Sequence, residues 1–392
     1  MWYFFRRLGR FLMMVLVLGA GYFFLFLPAQ FDRNVNVVVP HAPYVISPRA
    51  RALHDSLRVA DMHADTLMWK RDPLKRHKRG HVDVPRLREG GVALQVFSTV
   101  SYVPGGQNVK ANRMSHDRIG LLDFAQLWPP ATWFSIRARA LYQAKRLQSA
   151  AARSDGTLVV ALSAKDMEDA LALRALNPDI VIGILSSEGG HPLEGRIDNL
   201  DVLYAAGYRE IGLQHFFDNR LGGSLHGVGK GGLTPFGREV VKRMLAKHMI
   251  IDVAHSSEKV VEDVLDLTDA PIVISHTGVR SLCNHPQRNI SDALLKRIAD
   301  RGGLIGIGYW KQAVCDPTPD GIARTIKAAA EKFGVDHIAL GSDFDGTITS
   351  YFDTSELAVL TDALLKQGMS ESDIRKVMGE NEIAFYLANL PQ

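Results

Sequence analysis

The sequence predicts an α/β protein, a (β/α)8 barrel preceded by one transmembrane helix. Beyond residue 51, short apolar runs alternate with helical patterns about eight times, the rhythm of a parallel sheet closed on itself. Near the start, an uncharged apolar run at 11–28 follows three arginines. Six of the eight predicted strands also stop at a histidine, an aspartate or a glutamate, which marks a candidate site at one end of the barrel.

The elements follow in order. "MWYFFRRLGR" is basic and aromatic, and "FLMMVLVLGAGYFFLFLP" (11–28) is just long enough to span a bilayer as a helix. Arg6, Arg7 and Arg10 favour a cytoplasmic N-terminus, with the remainder extracytoplasmic, facing the periplasm from a bacterial inner membrane. A cleaved signal peptide is the rival, although no clear A-x-A site is present and "LPAQ" is a weak candidate. Residues 1–28 thus read as signal anchor, 29–50 as a linker with three prolines and no helical period, and 51–392 as the barrel domain.

Within the barrel, the strand candidates are "RVADMH", "VALQVFS", "IVIGILSSE", "EIGLQH", "MIIDVAH", "PIVISH", "GLIGIGY" and "HIALGSDFD". Several are continuous leucine or β-branched runs, as strands covered on both faces require. Helical patterns lie between them, at 136–154, 199–207, 234–248, 256–268, 291–302 and 321–334, with Thr234 and Ser256 as expected N-caps.

Composition narrows the function. A net charge of +4 is mild, and the basic stretch 70–81 has no interleaved aromatics, so it reads as a solvated loop and no nucleic-acid partner is expected. There is no CxxC pair, which excludes a thiolate metal site; Cys283 and Cys315 leave both a disulfide and two separate thiols open. The glycine-rich 222–233 lacks the ending of a phosphate loop and reads as a flexible loop near the mouth.

The strands finish in His63 and Asp65 (within "DMHADT"), Glu188, His215, His255, His276 and Asp343. In an extended chain His63 and Asp65 point to the same side, so imidazole and carboxylate can meet at one point. A set of His, Asp, Glu, His and His suits zinc. Five ligands are too many for one tetrahedral catalytic ion and fit two ions bridged by a carboxylate, which is hydrolytic chemistry. Asp61 shares the face of His63 and reads as a supporting hydrogen-bond partner. His191, His226, His248 and His285 read as solvated or structural.

The segments "DMHADT", "HVDVPRLREGGVALQVFS", "SSEGGHPL", "LTPFGREVVKRMLAKHMIIDVAHSS", "PIVISHTGVRSLCNHPQRNI" and "HIALGSDFDG" occur in order, and with them the chain resembles the membrane (renal) dipeptidases, peptidase family M19 of the metal-dependent amidohydrolase superfamily. The family's first motif usually reads D-G-H-N-D; here Met62 and Ala64 replace its glycine and asparagine. The resemblance implies a barrel of the metal-dependent hydrolase type, two zinc ions per chain and dipeptide substrates. It implies His63 and Asp65 on the first ion, Glu188 bridging, and His255 and His276 on the second. His215 then steadies the oxyanion, Arg288 takes the substrate carboxylate and Asp343 handles protons, while Asp345 keeps a loop role. Acyl-amino-acid or lactam hydrolysis on the same fold, and a non-catalytic metal-binding membrane protein, are the alternatives. Side-chain and D/L preference, the native metal and a homodimer stay open.

Overall fold

The computed structural model describes residues 1–392. Its strands are β1 (Val37–Val38), β2 (Val59–Ala64), β3 (Val92–Phe97), β4 (Leu158–Val160), β5 (Val181–Ser187), β6 (Tyr208–Gly212), β7 (Ile250–Asp252), β8 (Val273–Thr277), β9 (Leu304–Ile307), β10 (Ile338–Leu340) and β11 (Thr349–Ser350). All eight predicted strands are present. They pair in parallel in the order β10-β9-β8-β7-β6-β5-β3-β2. Beyond the ends of β2 and β10, a parallel bridge between Ala64 and Phe344 nearly closes the ring, and the Asp65 N–H donates to the Phe344 carbonyl at 2.9 Å. Every residue of these eight strands is buried, which is why their sequences run apolar without alternation. β4 was not predicted: it is three residues long, partly exposed, and pairs only with the start of β5.

The pairing register slips between Val59 and Ala60 at the start of β2, and also between Asp61 and Ala64, between Leu185 and Ser186, and between Ile274 and Thr277. The last three lie toward the C-terminal ends of their strands, beside His63, Glu188 and His276. Such irregularities bend a strand and re-aim its last side chains.

The six predicted helices form, over Ile136–Ala152, Asp198–Ala205, Pro235–Ala246, Glu258–Leu267, Asp292–Asp300 and Pro319–Phe333. Thr234 caps its helix by accepting from the Gly237 N–H. The next cap is Ser257, which accepts from the Val260 N–H, rather than Ser256, whose hydroxyl donates instead to Gln214 Oε1 at 2.6 Å. A disulfide joins Cys283 to Cys315 and so ties the loop after β8 to the loop after β9.

The N-terminal helix α1 spans Trp2–Val35, with a π-turn at Tyr22–Phe26. It is long and apolar enough for a membrane anchor or a signal sequence, and no residue of Trp2–Gly21 is buried. Its last residues differ from the expected linker. Residues 29–35 are helical, Asp32 and Asn36 are buried, and β1 pairs in parallel with β11. Long-range ion pairs cause this. Asp32 Oδ2 lies 3.1 Å from Arg71 Nε and 2.7 Å from Arg79 Nε, and Arg71 Nη2 reaches Asp345 Oδ2 at 2.8 Å. Asn36 accepts from the Thr347 N–H at 2.9 Å. The basic stretch 70–81 is therefore only partly solvated: Arg71 and His81 are buried, and both pair with Asp345.

Arg71 is the shared cation between two buried carboxylates. Arg71→Ala is expected to cost about 3–5 kcal/mol, because it strands buried charge. Arg49→Ala, which breaks an exposed pair with Glu371, should cost less than about 1 kcal/mol. Denaturant titration of the two variants in detergent compares them.

Candidate metal centre

The barrel gathers the predicted residues at one mouth. His63 is the penultimate residue of β2 and Asp65 follows the strand; Glu188 follows β5; His215 and His255 lie three residues past β6 and β7; His276 sits in β8; Asp343 lies three residues past β10. All seven are buried, and so is Arg288 in the loop after β8. Asp65, Glu188, His215, His255, Arg288 and Asp343 line a cavity of about 690 Å³.

Glu188 stands at the centre. Its Oε1 is 2.9 Å from His255 Nε2, 3.4 Å from His276 Nε2 and 3.8 Å from His63 Nε2, and its Oε2 is 3.2 Å from His215 Nε2. His63 Nε2 lies 3.6 Å from Asp65 Oδ1, and neither atom has a hydrogen-bond partner although both are buried. The donor atoms of His63, Asp65 and Asp343 lie within 4.8 Å of one another, as do those of Glu188, His215 and His255.

Hydrogen-bond partners assign two tautomers. The Val109 carbonyl can only accept, so His226 Nδ1–H donates to it at 2.9 Å; neutral His226 then accepts at Nε2 from His255 Nδ1–H at 3.0 Å. The Ser275 hydroxyl donates to Asp252 Oδ2 at 2.7 Å and accepts from His276 Nδ1–H at 2.9 Å. Both His255 and His276 are left with a bare lone pair on Nε2, and these two atoms are 2.9 Å apart. Two lone pairs facing each other beside a carboxylate oxygen repel unless a cation lies among them. The donor set therefore fits a metal ion.

The electrostatics agree. Burial holds His255, His276 and His215 well below the usual imidazole range, so they are neutral donors. Burial, with Asp65 beside it, raises the Glu188 carboxyl well above its usual range, and burial pushes Asp343 up to about 8. Burial opposes charge on His63, yet Asp65, Glu188 and Asp343 lift it to about 10. Burial lowers Arg288 to about 10 against the pull of Asp343 and Glu188. The protein supplies too little positive charge for its own acids here.

Arg288 is fixed on two sides. Its Nη2 donates to the His276 carbonyl, its guanidinium lies 4.8 Å from the Trp310 ring centre, and its buried Nη1 has no partner. His255 and Asp343 adopt left-handed backbone, with φ of 61° and 58°, a strain that persists only where surrounding structure holds it. Asp61 has the supporting role expected of it: it accepts from the His63 N–H at 3.0 Å and from the Ser342 hydroxyl at 3.1 Å. Asp345 sits in the loop network with Arg71 and His81.

Two supporting residues, Asp252 and Trp310, have no place in the sequence analysis, and a third, His226, takes the structural side of its expected reading. His226 is fully buried and orients His255, although it lies in the glycine-rich segment read as flexible. Asp252 accepts from the Ala254 N–H, the Ser275 N–H and the Ser275 hydroxyl, so its oxygens are engaged in aiming His276. Its place at the end of β7, three residues before His255, was a usable signal. Trp310 under Arg288 had none.

Comparison with known proteins places the chain in a family. The family model described as membrane dipeptidase (peptidase family M19) matches residues 47–384. Dipeptidase tcpJ of Claviceps purpurea is 28% identical over 318 residues, which covers 78% of this chain and 68% of tcpJ. A metallo peptidase from Rhodobacter sphaeroides, solved with a phosphinate mimic of the dipeptide L-Ala-D-Ala, is 26% identical with a TM-score of 0.68, covering 85% of this chain and 99% of that one. The probable dipeptidase PvdM from Pseudomonas aeruginosa shares the fold at a TM-score of 0.72 and 21% identity, covering 87% and 98% of the two chains. A family match over most of the chain, on a barrel whose mouth fits a metal, has one meaning: the chain belongs to the membrane dipeptidase family, peptidase family M19, and is a dipeptidase-type enzyme.

Proposed function

We propose that the enzyme hydrolyses dipeptides with a free C-terminal carboxylate, using two zinc ions. His63, Asp65 and Glu188 would hold one, and Glu188, His255 and His276 the other. The observation that carries this reading is Glu188, whose Oε1 lies within 3.8 Å of His63 on one side and of His255 and His276 on the other. Bound there, the ions would supply Lewis acidity and a water of lowered pKa.

The protein's own groups do the rest. Asp343, at the mouth beside His63 and Asp65, accepts a proton from the attacking water and passes it to the leaving nitrogen. His215, across Glu188, donates a hydrogen bond to the oxygen on which negative charge develops. Arg288 offers its unpartnered Nη1 to the substrate carboxylate, and Trp310 keeps the guanidinium plane in place. The barrel domain, 51–392, carries all of these groups.

The retained α1 anchors this domain outside the cytoplasm, on the periplasmic side of a bacterial inner membrane. The arginines before the apolar run support that orientation. A reporter active only in the cytoplasm, fused to the C-terminus, should stay silent; a strong signal refutes the orientation.

The substrate class is tested at Arg288. Arg288→Ala should lower kcat/KM for free dipeptides by roughly 30-fold or more, and far less for the same dipeptides amidated at the C-terminus. Arg288→Lys should rescue only part of the loss, since a point charge cannot reproduce the fork. Because Arg288 also bonds the His276 carbonyl, some loss common to both substrates is expected; the difference between them isolates carboxylate recognition. Equal losses would contradict the assignment.

A further inference from the structure

The cavity over the metal centre is not walled by the barrel alone. Phe23, Leu27, Phe31 and Val35 of α1 line it too. They recur every four residues, so they form one stripe down one helix face, and all are partly buried. Facing them are Met68, Trp69, Val103, Ile119 and Leu122. The Phe31 and Trp69 rings are 6.0 Å apart, and Phe23 and Phe24 pack on Phe124 at 5.9 and 5.2 Å. Asp32, on the same part of the helix, is locked to Arg71 and Arg79, so the stripe is held against the mouth.

The cavity is therefore divided by chemistry. Its floor is polar, with Glu188, Asp343 and Arg288, and the wall on the α1 side is apolar. The two ends also lie on different sides of the ring. Arg288 follows β8, whereas Met68 and Trp69, which meet α1, follow β2, three strands further round through β9 and β10. The Glu188 cluster takes donors from both sides, His276 from β8 and His63 from β2. A dipeptide with its carboxylate at Arg288 and its amide at the cluster then has its N-terminal residue on the β2 side, toward α1.

We propose that α1 is one wall of the substrate site, and that the enzyme selects dipeptides whose N-terminal residue carries a large apolar side chain, seated against Leu27 and Phe31. This rests on the dipeptidase reading above for the direction of the substrate. It gives the helix a second task besides anchoring: its turns from Phe23 onward pack on the barrel rather than on lipid and also set specificity, so the span is carried by the residues before Phe23 and the mouth opens beside the bilayer surface. Burying an apolar side chain against this stripe removes it from water, the same gain that holds a core together.

The test uses the full chain in detergent. Leu27→Ala should lower kcat/KM for Phe-Gly and Leu-Gly by about tenfold more than for Gly-Gly, the order expected for a trimmed apolar contact. Equal losses on all three substrates would mean that α1 only supports the fold, and would overturn the proposal, as would no loss on any. A second readout does not depend on turnover. Cys283 and Cys315 are bonded to each other, so Leu27→Cys introduces the single free thiol. A phosphinate analogue of Phe-Gly should slow its labelling by a small maleimide, and the Gly-Gly analogue should not. If no dipeptide is hydrolysed but the Phe-Gly analogue protects, the dipeptidase reading fails and the wall stands. If dipeptides are hydrolysed and the Phe-Gly analogue gives no protection, the wall fails and the dipeptidase reading stands. Absence of both hydrolysis and protection rejects both.

Discussion

Glu188 Oε1 faces the Nε2 atoms of His255, His276 and His63 at 2.9, 3.4 and 3.8 Å, with all four residues buried. Asp65 and Asp343 add two more carboxyl groups to the same space, and Arg288 is the nearest permanent cation. Burying this many acceptors is unfavourable; the raised Glu188 and Asp343 carboxyls show that protons relieve part of the cost, and a bound cation would relieve it too. The rest of the architecture keeps these groups from relaxing apart. Parallel pairing brings the strand ends to one rim, and slips in register turn the last side chains inward. His226 and the Ser275–Asp252 pair fix which nitrogen of each imidazole faces the centre.

That rigidity has a local cost. His255, Asp343, Asp345 and Thr347 all adopt left-handed backbone without being glycine. Three of the four belong to the one loop after β10, where Asp345 is clamped by Arg71 and His81 and Thr347 is bonded to Asn36. The end of α1 and the loop that carries Asp343 are thus held by the same ion network. A segment that looks like a tether in sequence takes part in shaping the mouth. The disulfide acts similarly on the other side, where it joins the loops that carry Arg288 and Trp310.

Much of this was legible because local pattern and global role coincide. A strand covered on both faces must be apolar throughout, so "IVIGILSS" and "PIVIS" announce themselves, and a ligand at a strand end needs only the barrel to meet its partners. The illegible parts depend on distant residues. Nothing near Asp32 foretells Arg71 and Arg79, so 29–35 reads as linker in the sequence and is helix in the structure. Ser256 and Ser257 are equally good caps locally; Gln214, from another loop, decides between them. His226 sits in a segment rich in glycine, and only the fold brings it to His255. The cysteines carry no local signal of pairing, since the loops that bring them together follow different strands.

The most direct measurement of the central claim is anomalous diffraction at the zinc edge from crystals of the full-length protein grown with zinc. Two peaks are expected at the barrel mouth, roughly 3.5–4 Å apart. One Glu188 oxygen should reach each, with His63 and Asp65 on one side and His255 and His276 on the other. A single peak, or two peaks that Glu188 does not bridge, would contradict it.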